Sequence, residues 1–340
     1  MSKSDINLIV EANVPFVRGL LDPYATVKYL RPEEITPDEV RSCDGMIIRT
    51  RTRCDEGLLV RSRCKLVATA TIGTDHINLD YCRRTGVTVV NAPGCNAAAV
   101  AQYVMSSVLN VINRPLQSYT MAIVGVGHVG SIVERWAKAF DMRVLRYDPP
   151  RQRAEGGDDW ADLDTVLREA DIITFHTPLT RTGDDKTFHM VDAAFTDGLR
   201  RAPILINTAR GEIFDTEAVV AAKDAGKIGP LIVDCWENEP CIDAGLLERA
   251  AIATPHIAGY SREGKIRASQ TVLDAVTAFF QLPRVTIDAP LPPAPARTVS
   301  VDGVMSTFDP MPLTAALKAD PSTFEQQRNT YPLRGEAPEA

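Results

Sequence analysis

Short apolar runs alternate with longer polar stretches along most of the chain. In the first third, Ile6 to Val10, Thr26 to Leu30, Gly45 to Ile48, Leu66 to Ala70 and Val87 to Val90 have the length and β-branched content of strands. Polar, helix-compatible connections separate them, the alternation of a parallel sheet covered on both faces. Asn91-Ala92-Pro93-Gly94 breaks this rhythm, and Asn96 is placed to cap a long helix from Ala97 to about Ile112. That helix is small and apolar on most faces, so it is expected to be buried between two units. From Thr120 the alternation restarts: the strand Thr120 to Val124, a glycine-rich corner, a helix through Phe140, the strand Arg143 to Tyr147, and later Ile204 to Ile206, Leu231 to Val233 and Ile252 to Ala253. Ser261 to Gln281 then reads as a helix, with Ile266, Val272, Leu273, Val276 and Phe279 near helical spacing.

The pattern predicts an α/β protein with two doubly wound parallel-sheet domains and a short C-terminal segment. Residues 1–94, completed by a returning helix at 261–285, form the first domain, and 95–260 form the second. Residues 286–340 begin with the stiff linker Ala289-Pro290-Leu291-Pro292-Pro293-Ala294-Pro295 and end in a tail without strong periodicity.

Composition narrows the functional classes. The 340 residues are 45% hydrophobic and 24% charged, ordinary for a globular protein of two domains. A formal charge of -7 argues against general affinity for nucleic acid or acidic membranes, so an anionic ligand must be drawn by local arginines. The seven cysteines are scattered without a C-x-x-C pair, which predicts neither a metal site nor a disulfide framework. Met1 to Pro15 lacks the charged start and long apolar core of a secretory signal, and no run approaches the ~20 apolar residues of a membrane helix. A reduced, soluble, cytoplasmic protein is expected.

The glycine-rich corner carries the first chemistry. Gly125-Val126-Gly127-His128-Val129-Gly130 follows a strand and opens a helix, and Asp148 ends the next strand about twenty residues on. Gly125 suits the tight turn, Gly127 lets the amides around His128 and Val129 approach a pyrophosphate, and Gly130 allows helix and strand to pack closely. This is the context of a Rossmann dinucleotide domain. A carboxylate at Asp148 accepts from ribose hydroxyls and repels a 2′-phosphate, so NAD is favoured over NADP, although Arg146 and Arg151 stand nearby.

Three further corners each deliver one reactive side chain just after an apolar run. Asn207-Thr208-Ala209-Arg210-Gly211 presents Arg210, Asp234-Cys235-Trp236-Glu237-Asn238-Glu239-Pro240 presents Glu239, and Thr254-Pro255-His256-Ile257-Ala258-Gly259 presents His256. In doubly wound sheets the ligand crevice lies outside the carboxyl ends of the strands, where all three emerge. Arg210 suits a bidentate clamp on a substrate carboxylate. His256 suits proton exchange with a hydroxyl, and Glu239 can orient the ring and stabilise imidazolium. His176 and Thr177 end another strand where they could border a nicotinamide, and Asp234 could hold its carboxamide. Apart from that possibility for His176, the side chains of His76, His128, His176 and His189 read as mainly structural.

Taken in order, Gly-Val-Gly-x-Val-Gly, Asp-Pro-Pro, Phe-His-Thr-Pro-Leu, Asn-Thr-Ala-Arg-Gly, Asp-x-Trp-Glu-x-Glu-Pro and His-Ile-Ala-Gly resemble the D-isomer-specific 2-hydroxyacid dehydrogenases over roughly Ile6 to Phe280. The resemblance implies a split, flavodoxin-like substrate domain with a Rossmann NAD domain inserted in it, and a catalytic triad of Arg210, Glu239 and His256. Within the family, Thr71-Ile72-Gly73-Thr74-Asp75-His76, Ala92-Pro93-Gly94-Cys95-Asn96-Ala97 and His256 to Lys265 are similar to the branch acting on 4-phospho-D-erythronate in pyridoxal phosphate biosynthesis. That likeness implies oxidation at C2 to 2-oxo-3-hydroxy-4-phosphobutanoate, with Thr50, Thr71 and Tyr260 touching substrate and Gly259 near the nicotinamide; the clustering of reactive residues suggests that domain closure brings substrate and cofactor together. It also implies a homodimer, through a C-terminal domain that is shortened in this chain. For the phosphate, Arg49, Arg51 and Lys265 are candidates; Arg49 and Arg51 read equally well as solvated arginines, and Arg53 reads better so. Another D-2-hydroxy acid (3-phosphoglycerate, glyoxylate or glycerate) and a non-catalytic NAD-sensing interaction protein are the alternatives.

Overall fold

The computed structural model describes residues 5–290, 292, 294 and 296–338. Met1 to Ser4 of the N-terminal reading and Leu291, Pro293 and Pro295 of the proline-rich stretch lie outside the described residues.

The chain divides into two compact units. One comprises Met1–Asn96 and Arg262–Ala294, the other Ala97–Ser261 and Pro295–Ala340. The first holds strands β1 (Asn7–Glu11), β2 (Thr26–Leu30), β3 (Gly45–Ile48), β4 (Leu66–Thr69) and β5 (Thr88–Val90). They pair in parallel in the order β2-β1-β3-β4-β5, the flavodoxin-like order. Strands β3 and β4 are buried at every position, which is why they read as unbroken apolar runs rather than alternating ones. The returning helix Arg262–Phe279 buries Ile266, Ala268, Val272, Leu273 and Val276 in this unit's core beside Leu8, Val10, Ile47 and Leu66.

The second unit holds β6 (Thr120–Val124), β7 (Arg143–Tyr147), β8 (Ile172–Phe175), β9 (Ile204–Asn207), β10 (Leu231–Val233) and β11 (Ile252–Ala253), all parallel, in the order β11-β10-β9-β8-β6-β7. The chain leaves β6 toward one edge and β8 toward the other, so the topological switch point lies between them, and ligands bind at the carboxyl ends beside such a point. Aspartates begin five helices of this unit: Asp148, Asp162, Asp192, Asp215 and Asp243 each accept a backbone N–H three residues on. Each such cap contributes about 1 kcal/mol.

The helix Ala97–Val111 is buried from Ala97 to Val108 and belongs to the second unit's core. The segment after the proline-rich stretch is not a loose tail. It forms helices Val301–Thr307, Met311–Ala319 and Phe324–Asn329 in the second unit, with Val304, Leu317 and Phe324 fully buried.

Candidate active site

The glycine corner sits at the switch point of the second sheet. Gly125 has φ +89°, and a β-carbon there would lie 2.8 Å from the His176 carbonyl carbon and 2.9 Å from Thr177 N. Only glycine fits where β6 and β8 end side by side. A β-carbon on Gly130 would lie 2.1 Å from the Gly125 carbonyl oxygen, so helix His128–Ala139 and the turn directly after β6 touch backbone to backbone. Gly127, by contrast, meets no atom within 4 Å. It is exposed with His128, and the helix it opens has no side-chain cap. Uncapped N–H groups at the end of a 12-residue helix, with open space before them, are what a pyrophosphate needs.

A cleft of ≈ 220 Å³ opens beside this corner, lined among others by Gly125, Gly127, Asp148, His176, Thr177 and Pro178. The Thr177 hydroxyl is buried and has no partner, the mark of a group waiting for a ligand. Asp148 Oδ2 accepts the Val126 N–H at 2.9 Å and Oδ1 accepts the Arg151 N–H at 3.1 Å, which fixes the carboxylate beside the glycines. The two arginines near it are occupied elsewhere. Arg146 lies 3.9 Å over the Trp160 ring, and Arg151 donates to the Val126 carbonyl and pairs with Glu155. Burial pushes the His176 imidazole down to about 3, so it stands neutral between the hydroxyls of Thr174 at 3.0 Å and Thr208 at 3.4 Å. These features fit a dinucleotide.

The other three corners interlock. His256 Nδ1 lies 2.8 Å from Glu239 Oε2 and 3.0 Å from Oε1, and the Trp236 N–H donates to Oε1 at 2.9 Å. Burial pushes the Glu239 carboxyl up, but His256 and the hydrogen bonds from its ring and from Trp236 outweigh this and hold it below the usual carboxylate range. An ionised Glu239 requires the proton on Nδ1, which leaves Nε2 as the base. Arg210 follows β9, and its neighbour Gly211 packs so tightly on Trp236 that a β-carbon would fall 1.9 Å from that residue's carbonyl. Asn207, fully buried at the end of β9, donates to the Arg210 carbonyl at 2.9 Å and accepts the Ala209 N–H at 3.1 Å. The Trp236 indole donates to the Thr254 carbonyl at 2.9 Å, tying the corner after β10 to the one after β11.

Asp234, just after β10, also supports the corner that follows β11. It is 1% exposed, and its carboxylate accepts from the Thr254 hydroxyl at 2.6 Å and from the N–H groups of Ile257 at 2.8 Å and Ala258 at 3.0 Å. These bonds hold His256 at φ +55°, a left-handed conformation costing about 1–3 kcal/mol for a non-glycine residue. Through these bonds Asp234 supports the loop that carries His256, Gly259 and Tyr260. Cys235 Sγ, Glu239 and His256 have donor atoms within 4.8 Å of one another. Burial drives the Cys235 thiol well above its ordinary range and Nδ1 is committed to Glu239, so the trio suits proton transfer better than metal ligation.

In the first unit, candidate substrate residues gather at the carboxyl edge of its sheet. Glu11, ending β1, accepts the Arg49 N–H at 2.8 Å and the Thr52 hydroxyl at 2.7 Å through Oε2. Arg49 Nη1 donates to the Asn13 carbonyl at 3.0 Å, and its buried Nε has no partner. Thr50 and Arg51 are exposed on the same loop, and Arg53 pairs with Asp55 at 2.9 Å as a surface arginine would. Thr71 bonds Thr69 at 2.6 Å and donates to the Gly73 carbonyl. Lys265 is partly buried in the returning helix. Sequence reasoning missed Asn207, Trp236 and the tail's Arg328 and Arg334; Asn207 and Trp236 stand inside the quoted corners, but their tying role depends on contacts between corners.

Residues 97–258 match the family model of the D-isomer specific 2-hydroxyacid dehydrogenase NAD binding domain. The chain is 41% identical over 338 residues to erythronate-4-phosphate dehydrogenase of Bacteroides fragilis, covering 97% of each chain. It is 37% identical to the enzyme of that name from Edwardsiella ictaluri, covering 97% of this chain and 93% of that one. Among solved structures, D-lactate dehydrogenase from Aquifex aeolicus, complexed with NAD and lactic acid, is 28% identical with a TM-score of 0.69, covering 81% of this chain and 95% of that one. A 3-phosphoglycerate dehydrogenase of Entamoeba histolytica shares the fold at 22% identity and a TM-score of 0.68, covering 82% of this chain and 96% of that one. With its glycine cradle and its Glu239–His256 pair on one sheet edge, the chain belongs to the D-isomer-specific 2-hydroxyacid dehydrogenase family.

Proposed function

We propose that this protein is an NAD-dependent dehydrogenase that oxidises the C2 hydroxyl of 4-phospho-D-erythronate to 2-oxo-3-hydroxy-4-phosphobutanoate, a step of pyridoxal phosphate biosynthesis. The observation that carries the chemistry is the 2.8 Å contact between His256 Nδ1 and Glu239. It leaves Nε2 to take the hydroxyl proton, while Glu239 stabilises the imidazolium that forms. Arg210 clamps the substrate carboxylate and places positive charge beside the nascent carbonyl. NAD, when bound, accepts the hydride from C2. The cofactor-holding residues are Gly125, Gly127, His128, Val129, Gly130, Asp148, His176, Thr177, Asp234 and Gly259. Arg49, Thr50, Arg51, Thr71, Tyr260 and Lys265 are the proposed substrate contacts.

The substrate assignment rests on the similarity to relatives named erythronate-4-phosphate dehydrogenase, up to 41% identical. We further propose a cytoplasmic homodimer; among the described residues no helix is long and apolar enough to cross a membrane. Light scattering that finds only monomer at micromolar concentration removes the dimer.

The test is NADH formation, followed by absorbance, with 4-phospho-D-erythronate beside 3-phosphoglycerate, glycerate and D-lactate. Highest kcat/KM on the first, and loss of turnover by ~10²-fold or more in His256→Ala, is the expected result. Preference for another acid overturns the substrate, near-normal turnover of His256→Ala overturns the base, and NADH binding without any turnover favours a sensor.

A further inference from the structure

The C-terminal segment reaches the catalytic corner and fastens itself there. Phe324 is fully buried in the core cluster that includes Trp236, Val233 and Phe214. Ten residues later Arg334, 8% exposed, donates to the carbonyls of Ala258 at 2.5 Å, Tyr260 at 2.9 Å, Ala99 at 3.0 Å and Ile257 at 3.2 Å, and to Gln102 Oε1 at 2.9 Å. Ser261 and Arg334 also form a parallel bridge. The loop carrying His256 is thus held on one side by Asp234 and on the other by the tail.

Arg328 lies between these two anchors. Its guanidinium hydrogen-bonds the Tyr260 side chain and faces Glu239 and Cys235, the thiol that also feels Arg210. Its Nε is buried and without a partner. The neighbouring carboxylate is already engaged by His256 and Trp236. Of the guanidinium's five donors, the buried Nε makes no hydrogen bond, and a buried donor left unsatisfied is costly, so this group favours an incoming acceptor.

We propose that Arg328 is a second anion-binding group of this site, taking the phosphate of the substrate while Arg210 takes its carboxylate. The assignment rests on the phosphorylated substrate proposed above. A hydroxy acid anionic at both ends needs a local cation at each end, because the chain's charge of -7 gives no general attraction; unlike Arg49, Arg51 and Lys265, Arg328 belongs to the same unit as Arg210 and His256. The planar fork of arginine matches phosphate oxygens bidentately. The competing role is purely positional, Arg328 holding Glu239 and Tyr260 in place, and it makes a different kinetic prediction.

The experiment compares the full chain with Arg328→Gln and Arg328→Lys. The phosphate role predicts that Arg328→Gln raises KM for 4-phospho-D-erythronate by tenfold or more, changes kcat only a few-fold, and leaves D-erythronate kinetics nearly untouched. Arg328→Lys recovers part of the loss. Equal effects on both substrates, or a fall in kcat alone, overturn the phosphate role. Inorganic phosphate as an inhibitor competitive with substrate supplies a readout independent of the substrate's identity. Weakening of its Ki by Arg328→Gln supports the site, and an unchanged Ki overturns it. Should the wild type prefer a different hydroxy acid, the substrate proposal fails, and the phosphate Ki still decides for Arg328. Thermal melting and NADH affinity, expected to match wild type, show that the variant is folded.

Discussion

Gly211 stands against Trp236 so closely that a β-carbon would lie 1.9 Å from the tryptophan carbonyl. This contact joins the arginine corner to the carboxylate corner, because the next residue on one side is Arg210 and the Trp236 N–H holds Glu239 at 2.9 Å. Gly211→Ala must push the two backbones apart. A displacement near 1 Å in a catalytic constellation costs on the order of 10²-fold, so kcat/KM is expected to fall by about that factor. NADH affinity should change little, since the glycine cradle belongs to another corner. Steady-state kinetics beside a fluorescence titration of NADH check this, and equal losses in both would show that the damage is not local.

The parts of this architecture legible in the sequence are those built from local pattern. The central strands are readable because buried parallel strands are unbroken apolar runs, and Arg210, Glu239 and His256 are readable because each follows such a run. Gly130 is assignable from spacing because its constraint, the Gly125 carbonyl, lies within one strand-turn-helix, whereas the contact that excludes a side chain at Gly125 comes from His176 and Thr177 after β8. Asp234 is legible as a carboxylate at a strand end, whereas its interior bonds to Thr254, Ile257 and Ala258 follow from how the next corner folds back on it. Arg334 reaches Ala258 across 76 residues, and its segment consists of helices of only six to nine residues, too short for a clear period. Such contacts are tertiary, and no local pattern encodes them.

Gly127 and Gly130 should separate ligand binding from folding. Gly127 has φ −80° and open space around it, so Gly127→Ala should fold normally but place a methyl where a pyrophosphate must come. NADH affinity should drop by about tenfold, roughly 1.4 kcal/mol. In Gly130→Ala the added carbon meets the Gly125 carbonyl oxygen at 2.1 Å, an overpacking that costs on the order of 1–3 kcal/mol in stability. Melting temperature and NADH titration on both variants form the check. Identical behaviour of the two would remove the assigned roles.

Asp148 combines a structural and an electrostatic task, and a single substitution divides them. Its Oδ1 caps the helix Pro149–Glu155 through the Arg151 N–H. Asparagine can keep this cap, but its NH2 then faces the Val126 N–H that Oδ2 accepts, so Asp148→Asn should lower stability by about 1 kcal/mol. It removes the charge that repels a 2′-phosphate, so the ratio of NADPH to NADH affinity should rise by about tenfold or more. Titrating both cofactors against both proteins tests this; an unchanged ratio would mean that Asp148 does not face the ribose.

His176 couples the cofactor corner to pH. Its ordinary value is 6.5, and burial lowers it to about 3 in the folded protein. Between these values the unfolded chain binds a proton that the folded chain does not, so this residue favours unfolding increasingly as pH falls from 6.5 toward 3 and contributes no pH dependence well above 6.5. For one such group the stability lost between pH 7 and pH 5 is about 2 kcal/mol. His176→Gln has no proton to gain, so its urea midpoint should be less sensitive to acid than that of the wild type over this interval. The difference between the two pH dependences, rather than either alone, isolates the residue, because carboxylates elsewhere titrate in both proteins. Parallel curves would show that the imidazole is reached by water, and that the corner between β6 and β8 is more open than the bonds to Thr174 and Thr208 indicate.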